Sequence, residues 1–255
     1  MARRLLSRRP SPAGARPRRD GPSRLAMAIA ALIPFLLAGA AVLYNEIDRP
    51  ACITPADVEP GQKAFEAPPC MSIDPDSLYF AALYTSHGRI AIQLDPRLDA
   101  ESVNNFVFLA RAGFYDGSPF HRVDVTDAHA FIQGGDPGGT GRGTPGYTYE
   151  ADLPSPIMRY VRGVVAMAYA NDDPSTAGSQ FFIVVREYEE LSYPAREPVN
   201  AFFGFIGDAE SLATLDRIIE VPTDEDARPL EPVTIERVEI AEEPSFEGSE
   251  PPPTP

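Results

Sequence analysis

The sequence predicts a mainly β domain, with a closed or stacked sheet and two helices, preceded by one transmembrane helix. Three observations carry this. The short apolar runs VVAMA, FFIVV and AFFGFI are separated by turn residues, as buried strands are. RIAIQLD sets Ile90, Ile92 and Leu94 against Arg89, Ala91 and Gln93, the period of two of a half-buried strand. LAMAIAALIPFLLAGAAVLY, residues 25–44, is twenty residues without a charge. As a helix rising ~1.5 Å per residue it spans ~30 Å, the hydrocarbon core of a bilayer.

Taken in order, residues 1–24 are rich in Arg, Pro and Ser and cannot bury a core, so a basic disordered segment is expected. They hold eight arginines and one acid, net +7, while the chain totals −15, so the remainder carries −22. The arginine cluster sets residues 1–24 on the cytoplasmic side of the membrane and the body outside it. A cleaved signal peptide is the alternative, with Ala38, Ala40 and Ala41 offering small residues for cleavage, although its apolar region is usually only ~7–15 residues long.

Residues 45–77, rich in Pro, Asp and Glu, read as a stalk with little regular structure. They contain both cysteines, Cys52 and Cys70. These are either two unrelated thiols or a disulfide outside the cytoplasm. From Leu78 the pattern changes, and LYFAALYT and RIAIQLD flank the turn SHG. Asp99 caps a helix with Glu101 in its first turn and Val103, Phe106, Val107 and Ala110 on one face, ended by Gly113. Asp208 caps a second helix carrying Leu212, Leu215, Ile218 and Ile219. VTIERVEI changes phase between Ile235 and Val238, which suits a bulge near Glu236 or Arg237. The domain is expected over residues 78–240, and residues 241–255 form an acidic, Pro-rich disordered tail.

The acidic body argues against nucleic-acid binding. The glycine run GGDPGGTGRG lacks the GxxxxGK[ST] pattern of a phosphate cradle. No Cys-His pair, carboxylate pair or metal cluster accompanies the polar residues of the central stretch 117–183. What that stretch offers is one guanidinium, Arg122, two amides, Gln133 and Gln180, and a set of aromatics among glycine-rich turns. Such a set suits a reaction needing a fixed positive donor beside an apolar pocket. Rotation of an X-Pro bond, which the resemblance of GSPFHRV, FIQGGDPGGTGRGTPGY and STAGSQFFI to the cyclophilin-type peptidyl-prolyl isomerases implies, is such a reaction. Its amide barrier is ~18–20 kcal/mol, and the twisted transition state returns a lone pair to nitrogen. A donor aimed at that nitrogen binds the transition state better than the planar ground state. Arginine keeps its proton and carries several fixed donors.

At GSPFHRV, FIQGGDPGGTGRGTPGY and STAGSQFFI the chain resembles the cyclophilin-type peptidyl-prolyl isomerases. The likeness runs from about Tyr79 to Ile240 and includes NNFVFLARAGFYDG and VTIERVEI on its flanks. It implies a closed antiparallel β-barrel capped by two α-helices. It also implies isomerase activity on X-Pro bonds without cofactor or metal, and proline-containing polypeptides as partners of a monomeric enzyme. By resemblance Arg122, Gln133, Gln180 and Phe182 form the catalytic set. Phe120, Phe131, Gly139, Ala168, Tyr169, Ala170, Leu191 and Asn200 form the substrate groove. His121 reads as a structural residue under the arginine.

Several positions depart from the family's pattern. The Arg122–Gln133 spacing is about three residues longer than usual, and Ala130 stands where an aromatic commonly lines the proline pocket. Tyr169 replaces a common Asn, Asn200 a common His, and the chain has no Trp. Weak binding of cyclosporin-type ligands is expected from the missing indole and from Ala130. The reading is a single-pass membrane isomerase acting on exported proteins on the extracytoplasmic side and assisting their folding. A cyclophilin-like peptide-binding module or holdase with little turnover is the alternative, favoured by Ala130 and the insertions.

Overall fold

The computed structural model describes residues 52–154, 158–187 and 200–242. The expected basic segment 1–24, the helix 25–44, nearly all of the tail and Leu191 lie outside them. Among the described residues no helix is long and apolar enough to cross a membrane.

The first hairpin forms as its alternation requires. β1 (Tyr79–Thr85) pairs antiparallel with β2 (Gly88–Leu94) across the Ser86–His87 turn. Helix α1 (Ala100–Arg111) follows, with the Asp99 side chain accepting from Ser102 N at 3.0 Å, so the predicted cap is present. Four short strands then surround the glycine-rich region: β3 (Ser118–Phe120), β4 (Arg122–Val125), β5 (Ala130–Gly134) and β6 (Val164–Met167). β7 (Phe181–Arg186), β8 (Phe202–Phe205), α2 (Ala209–Ile219) and β9 (Val233–Ala241) complete the domain. Asp208 caps α2 through Ser211 N at 2.9 Å.

One sheet takes the order β3-β9-β1-β2-β8-β6-β7-β5-β4. Its two terminal strands, β3 and β4, are consecutive in sequence and separated only by His121. The chain itself therefore bridges the seam, and the sheet is a nearly closed antiparallel barrel. The bulge expected in β9 is present. Tyr84 faces Arg237 but Thr85 faces Ile235, which leaves Glu236 as the extra residue.

Alternation sorts the side chains. Leu83, Ile90, Ile92, Ile132, Phe181, Ile183 and Phe203 point into the main core with Phe106 and Val107 of α1. Phe120 belongs there too: it is 1 % exposed, with its ring 6.2 Å from that of Phe181. Its expected substrate contact is thereby corrected, since a side chain inside the barrel cannot touch a peptide outside it. Ala130 is likewise fully buried in this core, on the same side of β5 as Ile132.

The stalk expectation is also corrected. Residues 52–77 pack onto the domain. Ile53, Phe65, Ala67 and Ile73 are buried in the main core. The Phe65 ring lies 5.3 Å from Phe108 of α1 and 6.4 Å from Tyr147. Lys63 Nζ donates to the carbonyls of Gly113, Phe114 and Asp116, at 2.8, 2.5 and 3.0 Å, and so holds the turn after α1. Asn104, buried on α1, donates to Cys70 O and accepts from Ser72 N at 2.9 Å. Cys52 and Cys70 are disulfide-bonded, Cα–Cα 4.8 Å, next to the pairing of Ile53 with Pro69. Of the two readings of these cysteines, the disulfide is the one observed.

Candidate functional site

The outer faces of β5, β7, β6 and β8, with Tyr160 from the loop before β6, carry a second apolar cluster, separate from the barrel interior. Phe131, Tyr160, Val164, Ala166, Phe182, Val184 and Phe202 form it. Strand alternation is the reason: where Phe181, Ile183 and Val185 fill the barrel, Phe182 and Val184 must face out. The Phe131 and Phe182 rings meet edge to face at 5.8 Å. Tyr160 stacks on Phe182 at 6.1 Å and meets Phe202 at 5.0 Å. Ala130 takes nothing from this surface, because its side chain faces the other way. The aromatic of β5 that joins this outer cluster is Phe131.

The polar members stand beside this cluster. Arg122 on β4 is the cross-strand partner of Gln133 on β5, and Gln133 in turn faces Phe182 on β7. The Arg122 guanidinium lies 4.9 Å from the centroid of the Phe131 ring, a cation–π distance, and its side chain is 47 % exposed. Gln133 Nε2 donates to Gln180 Oε1 at 3.0 Å, and Gln180 Nε2 donates to Gly143 O at 2.9 Å. Gln180 is thus committed at both ends of its amide. Gln133 keeps its carbonyl oxygen for another donor.

Gly143 belongs to a loop wrapped around Asp136. That carboxylate accepts from the backbone N–H groups of Gly138, Thr140, Gly141 and Gly143 and from Thr140 Oγ1, at 2.8–3.0 Å. Burial alone pushes the Asp136 carboxyl up, but the donors of Gly143, Thr140 and Gly138 outweigh it and hold the pKa down to about 2. A side chain at Gly143 would place its Cβ 1.9 Å from Asp136 Oδ1, so only glycine fits there. Gly139, at φ +64°, sits against Pro119 of β3, with 2.8 Å between its would-be Cβ and Pro119 Cγ. The loop residue that reaches the amide pair is Gly143, not Gly139.

The other predicted groove residues fall around the end of β6. Ala168 N donates to Gln180 O at 2.9 Å. The Tyr169 hydroxyl accepts from Ala201 N, and burial pushes its pKa upward. Ala170 is exposed, with its N–H donating to Thr176 Oγ1 at 2.9 Å. Asn200 lies beneath the aromatic cluster. Its Oδ1 accepts from Tyr160 Oη at 2.9 Å, and its Nδ2 donates to Met167 O at 2.9 Å. His121, 8 % exposed, lies under the loop against Gly141, and burial lowers its pKa despite the opposing charge of Asp136. Among the described residues no group of three His, Cys, Asp or Glu side chains converges as a metal ion would require.

Two residues of the site escaped the sequence reading. Tyr160, from RYVRG, carries no period or motif that marks it. Asp124 sits in the lengthened stretch after Arg122, where the signal was the insertion itself.

The comparisons agree with this architecture. The family model for cyclophilin type peptidyl-prolyl cis-trans isomerase/CLD matches residues 80–240. Peptidyl-prolyl cis-trans isomerase A of Mycobacterium tuberculosis is 38% identical over 177 residues, covering 63% of this chain and 91% of the relative. A peptidyl-prolyl cis-trans isomerase of Helicobacter pylori is 38% identical over 139 residues, 54% of this chain and 79% of the relative. The crystal structure of a Cryptosporidium parvum cyclophilin type peptidyl-prolyl cis-trans isomerase, determined in the presence of the dipeptide Ala-Pro, superposes with a TM-score of 0.54 at 30% identity. It covers 64% of this chain and 98% of that one. The chain belongs to the cyclophilin family. It is a cyclophilin-type peptidyl-prolyl cis-trans isomerase.

Proposed function

We propose that Arg122 supplies the donor to the proline nitrogen as the X-Pro bond twists, while the Phe131–Phe182 surface holds the proline ring. The observation that carries this is the cross-strand pairing of Arg122 with Gln133 beside that aromatic surface. Tyr160, locked by Asn200, backs Phe182 and keeps the floor of the pocket in place. Gln133 offers its carbonyl oxygen to the peptide backbone, and Gln180 fixes its orientation. The donor interaction strengthens only as nitrogen regains its lone pair, so it lowers the barrier without tightening ground-state binding. Arg122→Ala in the full chain should lower kcat/KM on an X-Pro peptide by about 10²- to 10³-fold, the range for loss of one such donor. NMR exchange or a protease-coupled assay measures it, and an unchanged rate would remove this mechanism.

The setting of the reaction belongs to the same reading. The uncharged segment 25–44 anchors a monomeric domain on the extracytoplasmic side, where it serves the folding of exported proteins. The Cys52–Cys70 bond supports that side, because such bonds persist in oxidising compartments. Protease added to sealed cells should digest the domain and spare residues 1–24. A mature protein starting near residue 42 would show cleavage instead of anchoring.

A further inference from the structure

Arg122 does not stand alone on β4. Two residues along the strand, and therefore on the same face, Asp124 Oδ2 accepts from its Nη2 at 2.5 Å. Asp124 is the more buried partner, with its side chain 16 % exposed against 47 % for Arg122. Its other oxygen lies 3.4 Å from His129 Nε2. In the β4–β5 register Asp124 faces Phe131, the ring over which the guanidinium lies. The lengthened β4–β5 connection places His129 there. Thr126 Oγ1 accepts from Ala128 N and His129 N, Thr126 N donates to His129 O at 2.8 Å, and Arg186 Nη1 donates to Thr126 O at 2.7 Å. The turn is tied internally and to β7, and it sets the imidazole 5.7 Å from the Phe131 ring.

We propose that Asp124 is a positioning residue for Arg122: its carboxylate selects the rotamer in which the guanidinium lies over Phe131 with its remaining N–H groups toward the groove. The proposal rests on the role of Arg122 given above. Arginine on an open strand face samples many rotamers, and those must collapse to one as the amide twists. Fixing one nitrogen beforehand removes part of that loss before the substrate arrives. The benefit falls on the chemical step, because the arginine's bond to the proline nitrogen exists only there. A carboxylate that competed with the peptide for the guanidinium would hold the enzyme back, and its removal would raise the rate.

The experiment uses the full chain with an X-Pro peptide, measuring kcat and KM by NMR exchange for Asp124→Asn and Asp124→Ala. Both should lower kcat by about twofold to fivefold, the upper part of the range for an exposed ion pair, with KM changed by less than that. In an Arg122→Ala background the Asp124 substitutions should cost nothing further, because the carboxylate acts only through the guanidinium. A merely structural role would leave an effect in that background and would lower the melting temperature. An unchanged or raised kcat, a change confined to KM, or full additivity with Arg122→Ala would overturn the proposal. Failure of Arg122→Ala itself to slow the reaction would instead strike the reading of Arg122, so the two failures are distinguishable.

Discussion

Replacing both Cys52 and Cys70 by serine should lower the melting temperature of the whole isomerase domain. The bond joins positions 18 apart in sequence. In the chain-entropy model a loop of that size restricts the unfolded chain by about 3 kcal/mol at 25 °C. That figure applies to the domain only if the clipped segment unfolds with it. Ile53, Phe65, Ala67 and Ile73 sit in the same core as the barrel strands, which makes one cooperative unit of them. For a domain of this size each kcal/mol moves the midpoint by about 2–4 °C, so the expected fall is about 6–12 °C. Calorimetry of the oxidised protein, the reduced protein and the double serine variant gives the comparison. Reduction and mutation should produce the same shift in a single transition. The double variant should still isomerise X-Pro peptides well below its midpoint, since the contacts of Phe65 and Lys63 do not depend on sulfur. A midpoint unchanged within about 1 °C, or a separate early transition for the segment, would show that residues 52–77 are independent of the barrel and refute the reasoning.

Phe65→Ala, with the disulfide intact, should cost about 3–5 kcal/mol by chemical denaturation, the range for a buried aromatic truncated in a packed core. Tyr160→Phe removes both hydrogen bonds between its hydroxyl and Asn200, to Oδ1 and from the backbone N, and should cost about 1–2 kcal/mol, with a raised KM for the peptide and an intact fold. Asp136 has a folded pKa below its unfolded value, so its contribution to stability is present above about pH 4 and is lost as the pH falls toward 2. Asp136→Asn should flatten the fall in melting temperature over that interval, and a profile parallel to the parent's would contradict the assignment. Cyclosporin-type ligands should still bind weakly for want of an indole, but Ala130 no longer contributes to that expectation, and tight stoichiometric inhibition would count against it.

The sequence made the strongly periodic parts legible. The β1–β2 hairpin, both helix caps and the β9 bulge follow from alternation, Asp caps and a phase slip, each a local signal. Arg122, Gln133, Gln180 and Phe182 were legible as a set only through the motifs around them. Their actual proximity comes from β4, β5 and β7 lying side by side, a long-range pairing that local patterns do not encode. Ala130 and Phe120 were misplaced for one reason. A motif position names a residue type, but the pleat decides its face, and both side chains turn inward.

The segment 52–77 failed differently. Its apolar residues follow neither a helical nor a strand period, because they are held by tertiary contacts, and Pro-rich composition conceals them. The contacts nevertheless lead toward the site. Phe65 N donates to Pro145 O at 2.8 Å, and Gly146 leaves only 2.4 Å between a would-be Cβ and Phe65 O. Pro145 abuts Gly178, whose carbonyl accepts from Asn105 of α1 at 2.8 Å. The tyrosine of this stretch, Tyr147, donates to Asn105 Oδ1 at 2.6 Å. Two residues before Pro145 is Gly143, the acceptor for Gln180. The loop that holds Gln180, and through it Gln133, is therefore built on the clipped segment as well as on the barrel. Asn105, a buried polar residue on an apolar helix face, is the joint between them. Its amide satisfies a backbone carbonyl on one side and a tyrosine hydroxyl on the other, which is why burying it costs the helix little.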